Sequence, residues 1–217
     1  MSDVLSPSYR DRVGYQAGLL GGFSLLAAAL LVMGDIATRD TIAQRQAEDL
    51  LDSLAQVIPP QLHDNDLLAA ELQLTGADGE PITVYRALRG LDVTGVAFEV
   101  TGQGYAGPIE ILLGIDPNGH ILGARVLAHA ETPGLGDKIE VNRDDWILAF
   151  NGRSLGDPPP ERWAVKKDDG EFDQFSGATI TPRAVVGAIK GGLELFADNR
   201  DALTTSAVLT DPVGSEN

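Results

Sequence analysis

From Ala17 to Met33 the chain reads AGLLGGFSLLAAALLVM, and the uncharged run reaches back to Val13 before it meets Arg12. As an α-helix this stretch is long enough to cross a hydrocarbon core about 30 Å thick. No other feature constrains the architecture as strongly, because the rest of the chain must then fold against one face of a bilayer. A cleaved export signal is the rival reading, but no convincing small-x-small cleavage site follows the run before Asp35, which favours an uncleaved anchor. Arg10 and Arg12 precede the run and a long acidic segment follows it. The positive-inside tendency therefore keeps the N-terminus in the cytoplasm and exports everything after Asp35, with Arg39 and Arg45 weakening the asymmetry. The expected layout is a cytoplasmic N-terminus over 1–12, a transmembrane anchor over 13–36, an amphipathic helix and connector over 37–68, one folded domain over 69–200 and a tail over 201–217.

The chain beyond the anchor can hold one domain with a real core and little more. Its charge excludes one class of partner: 32 acidic residues against 16 basic give a net charge of −16, which is no surface for neutralising phosphates, so nucleic acid is not expected. The absence of cysteine excludes a thiolate iron–sulfur cluster, a disulfide and a thiol nucleophile. Any redox chemistry needs another cofactor. His63, His120 and His129 have no metal-ligand spacing, and no metal site is expected.

After the anchor, Ile36, Ala43, Ala47, Leu50, Leu51, Leu54, Val57 and Ile58 recur at helical spacing until Pro59 and Pro60 stop the pattern. This amphipathic helix either docks on a partner or caps its own domain. His63 to Leu68 reads as a polar connector. Strand patterns then occupy 71–75, 82–88 and 93–101, with Gly76-Ala77-Asp78-Gly79 as the first turn. A clearer hairpin runs from 109–115 through Asp116-Pro117-Asn118-Gly119 into 121–128. A short helix is expected over 144–150 and another strand over 162–166. Ala184, Val185, Ala188, Ile189, Leu193 and Phe196 then make one face of a final helix beginning near Pro182, with Thr181 as its N-cap. There is no βαβ alternation. The fold class expected is α+β: a single transmembrane helix followed by an antiparallel-sheet domain with flanking helices.

Chemistry concentrates in Asp173-Gln174-Phe175-Ser176-Gly177-Ala178-Thr179-Ile180-Thr181, a small, hydroxyl-rich loop leading into the last helix. Gly177 and Ala178 permit close approach, and a helix start favours an anion near Thr179. On loop chemistry alone, ordinary N-capping by Ser or Thr is the favoured reading. Glu131-Thr132-Pro133-Gly134-Leu135-Gly136, taken alone, is a Pro-Gly loop chosen for its turn geometry. Trp146 and Trp163 could stack on a planar ligand, although core packing is the plainer role. Lys166 and Lys167 could attract a phosphate but read as solvated residues beside a turn.

Asp173-x-x-Ser176-Gly177-Ala178-Thr179 resembles the flavinylation motif of the FMN-binding domain family, in which the final threonine is esterified to the flavin phosphate. Glu131–Gly136, preceded by a Gly104-Tyr105-x-Gly107 strand and the Asp116–Gly119 hairpin, looks like the same family's flavin-contact loop. The resemblance covers about Gly104 to Phe196, and two ordered motifs are far more specific than either alone. Pro182 departs from it, since the family commonly has serine there. In length and layout the chain is similar to the G subunits of Rnf ion-translocating ferredoxin–NAD oxidoreductases, with the C subunits of sodium-pumping NADH–quinone reductases as larger relatives. The resemblance implies covalent FMN on Thr179, contacts from Asp173, Ser176, Gly177 and Ala178, and further contacts from Glu131, Thr132, Gly134, Leu135 and Gly136. Within that loop Leu135 would pack on the ring and Thr132 would make a polar contact. It also implies a flavin transferase using FAD and magnesium, because threonine is a poor nucleophile and no base is placed by sequence to activate it.

The function implied is an electron carrier in the bacterial inner membrane, single-pass, with its domain on the periplasmic side and other membrane subunits and the lipid bilayer as partners. Flavin exchanges one or two electrons, as a relay requires. The alternatives are an anchored FMN-domain reductase of a small acceptor, against which stands the lack of a nicotinamide motif, and a non-redox assembly module whose loop merely caps a helix.

Overall fold

The computed structural model describes residues 13–76 and 79–205. Arg10, Arg12, the turn residues Ala77 and Asp78, and the tail beyond Thr205 lie outside the described residues. The described residues fall into two compact units, divided between Asp49 and Leu50.

Helix α1 runs from Val13 to Val57. Its apolar part in the first unit is exposed around the whole circumference, with Leu20, Phe23, Leu26, Leu30 and Met33 all uncovered, and it is long and apolar enough to cross a membrane. Beyond Asp35 the helix turns polar: Asp35 pairs with Arg39 one turn on, and Arg45 reaches Glu48 at 2.9 Å.

In the second unit, α1 stops where the prolines require it, with Val57 its last residue and Ile58 N–H closing on the Leu54 carbonyl at 2.8 Å. Short 3-10 turns at Pro60–Leu62 and Leu67–Ala69 make the connector. It is less purely polar than expected, because Leu67 is buried and Asn65 bonds the backbone of Leu88 at 2.8 Å. Five antiparallel strands follow: β1 (Glu71–Thr75), β2 (Pro81–Arg89), β3 (Asp92–Gln103), β4 (Pro108–Ile115) and β5 (Ile121–Ala128), paired in sequence order. Helix α2 (Ile180–Thr204) ends the described chain.

The sheet is covered on both faces, and the period-two alternation assigns each residue to one of them. Val84, Val96, Phe98, Ile111 and Leu113 meet Val185, Ile189, Leu193 and Phe196 of α2. The alternate residues Tyr85, Ala87, Ala97 and Leu112 meet Leu54, Val57, Ile58 and Leu67. So Leu54, Val57 and Ile58 of the amphipathic stripe serve the chain's own sheet, while Ile36 and Leu51 stay exposed.

The end of α1 lies unusually close to the sheet because Gly114 and Gly123 face each other across β4 and β5 beneath it. A Cβ at Gly114 would sit 2.4 Å from the Val57 carbonyl oxygen, and one at Gly123 would sit 2.9 Å from its Cα. Gly114→Ala should therefore lower unfolding free energy by about 1–3 kcal/mol, since backbone rather than a side-chain tip must yield. A urea melt of the detergent-solubilised protein, with an unchanged slope, checks this.

Two expected strands are absent. Gly104–Gly107 is the β3–β4 turn, closed by Gly104 N–H on the Gly107 carbonyl at 2.8 Å. The segment 162–166 forms no strand: Val165 makes one isolated bridge to Phe172, between 3-10 turns at Pro160–Arg162 and Lys166–Asp168. Its side chains instead build an aromatic cluster, with Phe150 stacked on Phe172 at 4.5 Å and Trp163 5.0 Å from Phe172, and that burial outweighs extended pairing. The expected short helix before it is a 3-10 helix, Asp145–Phe150, capped by the Asp144 side chain.

Candidate functional site

The loop 131–136 is held at both ends. At its start the Glu131 N–H donates to His129 Nδ1 at 3.0 Å, which makes that nitrogen the acceptor and leaves Nε2–H to donate to Glu140 at 2.7 Å. At its far end Leu135 and Gly136 N–H groups turn back onto the Thr132 carbonyl at 3.1 and 3.0 Å. Gly134, at φ +79, gives its N–H to the buried Asp137 carboxylate at 2.7 Å. Thr132 and Leu135 are thereby left exposed on the outer side of the turn.

The second motif is anchored from below. Trp146 Nε1–H donates to the Asp173 carbonyl at 2.8 Å, and Phe175 is buried against that indole. Ala178 N–H closes on the Phe175 carbonyl at 3.2 Å with Gly177 at φ +83, the third position of a turn that needs a residue with positive φ. Ser176 and Gly177 form its exposed tip. The Asp173 carboxylate pairs with Lys166 at 2.7 Å, and Lys167 N–H donates to Gln174. The guanidinium of Arg183, in the first turn of α2, grips Asp168 with two hydrogen bonds; this holds the Asp168 carboxyl below its usual range and raises Arg183.

The start of α2 differs from expectation. The helix begins at Ile180, so Thr179 occupies the N-cap position, half-buried, with helical backbone angles and no side-chain capping bond. Thr181 is not the cap. It lies inside the first turn, fully buried, and its hydroxyl donates to Glu131, a partner 50 residues away.

These pieces enclose a cavity of about 360 Å³. Glu131, Thr132, Leu135 and Gly136 line one side. Gly177, Ala178 and Thr179 line the other. Asp173, Ser176 and Gly134 lie outside the lining, acting on the loops that make it. Three lining residues were not assigned to the site from sequence: Tyr105, Ile180 and Thr181, the last expected only as a helix cap. Exposure is the signal that Tyr105 and Ile180 carry together with Leu135: Tyr105 is 73% exposed, Ile180 47% and Leu135 46%, large apolar side chains gathered at one opening. Trp146 and Trp163 belong to the core instead. A larger cavity of about 430 Å³, beside Gln56, Arg125 and Asn142, includes no residue of either motif. Among the described residues no group of His, Cys, Asp and Glu is arranged to hold a metal ion.

The cavity suits a flavin mononucleotide on its own terms. The first N–H groups of α2 have no intrahelical acceptor and favour a phosphate beside Thr179. Leu135, Ile180 and Tyr105 offer apolar surface to a planar ring, and the volume falls within the usual range for small-ligand sites.

The family described as FMN-binding domain matches residues 104–194, from the β3–β4 turn through most of α2, and the matched stretch includes every residue that lines the cavity. Among relatives, the G subunit of the ion-translocating oxidoreductase complex of Cereibacter sphaeroides is 59% identical over 185 residues, covering 85% of this chain and 84% of the relative. The corresponding G subunit from Stutzerimonas stutzeri is 48% identical over 193 residues, covering 89% and 85%. The crystal structure of Shewanella oneidensis NqrC aligns over 70% of this chain and 73% of that one, with 22% identity and a TM-score of 0.46. The chain belongs to the family of G subunits of ion-translocating oxidoreductase complexes.

Proposed function

We propose that this chain relays electrons inside an Rnf-type membrane complex through FMN bound covalently to Thr179 by a phosphoester. The observation that carries the reading is the cavity in which both motifs meet, with Thr179 in its wall at the N-terminus of α2. Among the described residues no base is bonded to the Thr179 hydroxyl, consistent with attachment by a separate flavin transferase using FAD and magnesium. Thr179 would supply the oxygen that displaces AMP from the flavin-side phosphorus of FAD, giving up its proton. The exposed tip of the turn at Ser176-Gly177 is the surface the transferase would grip, while Thr132 and Leu135 would contact the ring and Gly134 and Gly136 would shape their loop. A bound flavin supplies one- and two-electron chemistry. The chain's own residues tether it, orient it and cover part of it.

In this reading the segment over 13–36 is an anchor in the bacterial inner membrane, the N-terminus is inside, the FMN-binding domain over 69–200 is on the periplasmic side, and other subunits of the complex and the bilayer are its partners; a helix long and apolar enough to cross a membrane supports it. Two measurements test this. The intact mass of full-length chain made with a flavin transferase should exceed the bare chain by one FMN less water, and the same chain made without the transferase should not. Protease added outside intact spheroplasts should digest the chain beyond Asp35. A flavin released by denaturation would sink the covalent reading, and protection in spheroplasts with digestion in inverted vesicles would reverse the orientation.

A further inference from the structure

We infer that Glu131 is the positioning residue of the cavity, one buried carboxylate pinning the three chain segments that form its walls; the inference rests on the reading that the cavity receives a flavin. Glu131 is 5% exposed, and both its oxygens are engaged within the protein. Oε1 accepts the Ala106 N–H at 2.9 Å, in the β3–β4 turn that carries Tyr105. Oε2 accepts the Thr181 hydroxyl, in the first turn of the helix whose N-cap is Thr179. Its own backbone begins the loop that presents Thr132 and Leu135. Two glycines make room for it: a Cβ on Gly104 would sit 2.4 Å from Oε1, and one on Gly136 would sit 2.8 Å from the Glu131 Cβ.

The side chain thus acts through others. Its oxygens do not wait for a ligand, and removing them strands the buried Thr181 hydroxyl, which needs a partner, and releases the Ala106 N–H of the exposed turn to solvent. The turn bearing Tyr105, the loop bearing Leu135 and the start of α2 bearing Thr179 would then be free to part, and the ring would lose a defined seat although the acceptor threonine is untouched.

The test uses the full-length chain in detergent, made with a flavin transferase, as wild type, Glu131→Ala, Glu131→Gln and Leu67→Ala. Glutamine keeps an acceptor for Ala106 N–H and turns its amide to the Thr181 oxygen, which can accept. Leu67→Ala trims a buried side chain on the opposite face of the sheet and controls for general destabilisation. Relative to the core strands, Ala106 amide exchange should speed up about tenfold or more in Glu131→Ala and stay near wild type in the other two. The fraction of chain carrying flavin and the visible circular dichroism of that flavin should fall in Glu131→Ala and recover in Glu131→Gln. Unchanged Ala106 protection in Glu131→Ala overturns the inference with or without flavin, and so does loosened Ala106 with an unaltered flavin spectrum. A wild-type chain without covalent flavin would instead sink the reading of the function, while Ala106 exchange still decides whether Glu131 pins the walls.

Discussion

Thr179→Ala should abolish covalent flavin completely and leave the domain folded. The hydroxyl removed is the only oxygen proposed to carry the phosphate, so there is no partial outcome through that atom. Its structural share is small: although Thr179 stands at the N-cap position, its backbone is already helical and its side chain makes no capping bond. The loss should stay below about 0.5 kcal/mol, as for a substitution that breaks no named interaction, rather than the roughly 1 kcal/mol of a working cap. Denaturing electrophoresis should show in-gel flavin fluorescence for the wild type and none for the mutant, the added mass should vanish with it, and electron transfer through the complex should fail.

Thr181→Ala separates the two hydroxyls. It deletes the donor to the Glu131 carboxylate in a buried place and should destabilise by about 1–3 kcal/mol, but it leaves the acceptor in position, so a flavin-bearing fraction should remain. Thr179→Ser restores a hydroxyl at the acceptor and should recover part of the flavin. Retention of covalent flavin by Thr179→Ala, or its loss only in Thr181→Ala, would move the ester to another residue.

The contrast between these threonines shows where sequence reading reached its limit. Thr181-Pro182 has the local form of an N-cap followed by proline, yet the helix starts at Ile180 and the Thr181 side chain is taken by Glu131, far away in sequence. Local pattern cannot see a partner 50 residues off. The hairpin at Asp116–Gly119 was legible because its turn chemistry is local, with the Asp116 side chain accepting the Asn118 and His120 N–H groups, both at 2.8 Å. The segment 162–166 failed for the opposite reason. Its alternation has the period of a strand, but Trp163 and Val165 bury themselves among Phe150 and Phe172, which only the tertiary fold assembles. The two motifs singled out by resemblance both contribute residues to one cavity, whereas Tyr105 and Ile180 needed the fold to bring them to the same opening.

Trp146→Ala should destabilise the second unit by about 3–5 kcal/mol, a large share of the roughly 5–15 kcal/mol that holds a typical domain. The indole is nearly buried and packs edge-on against Phe150 at 5.2 Å and against Phe175 at 5.1 Å, so truncation opens a cavity between them. The same ring also supports the flavin motif, since Nε1–H holds the Asp173 carbonyl and the ring packs against Phe175, on whose carbonyl the Ser176-Gly177 turn closes. Trp146→Phe keeps an aromatic ring but drops the N–H, and should cost about 1–2 kcal/mol by the combined loss of volume and one hydrogen bond. Trp163→Phe is the matched comparison. Trp163 is also buried and its Nε1–H donates to the Pro158 carbonyl at 2.9 Å, but its ring neighbours are Phe150 and Phe172, one step back from the motif. Urea melts should give both phenylalanine variants similar losses. At low temperature, where both remain folded, only Trp146→Phe should show slowed flavin attachment, because only there is the turn proposed to meet the transferase loosened. Equal attachment rates in the two variants would reduce Trp146 to a core residue with no bearing on the site.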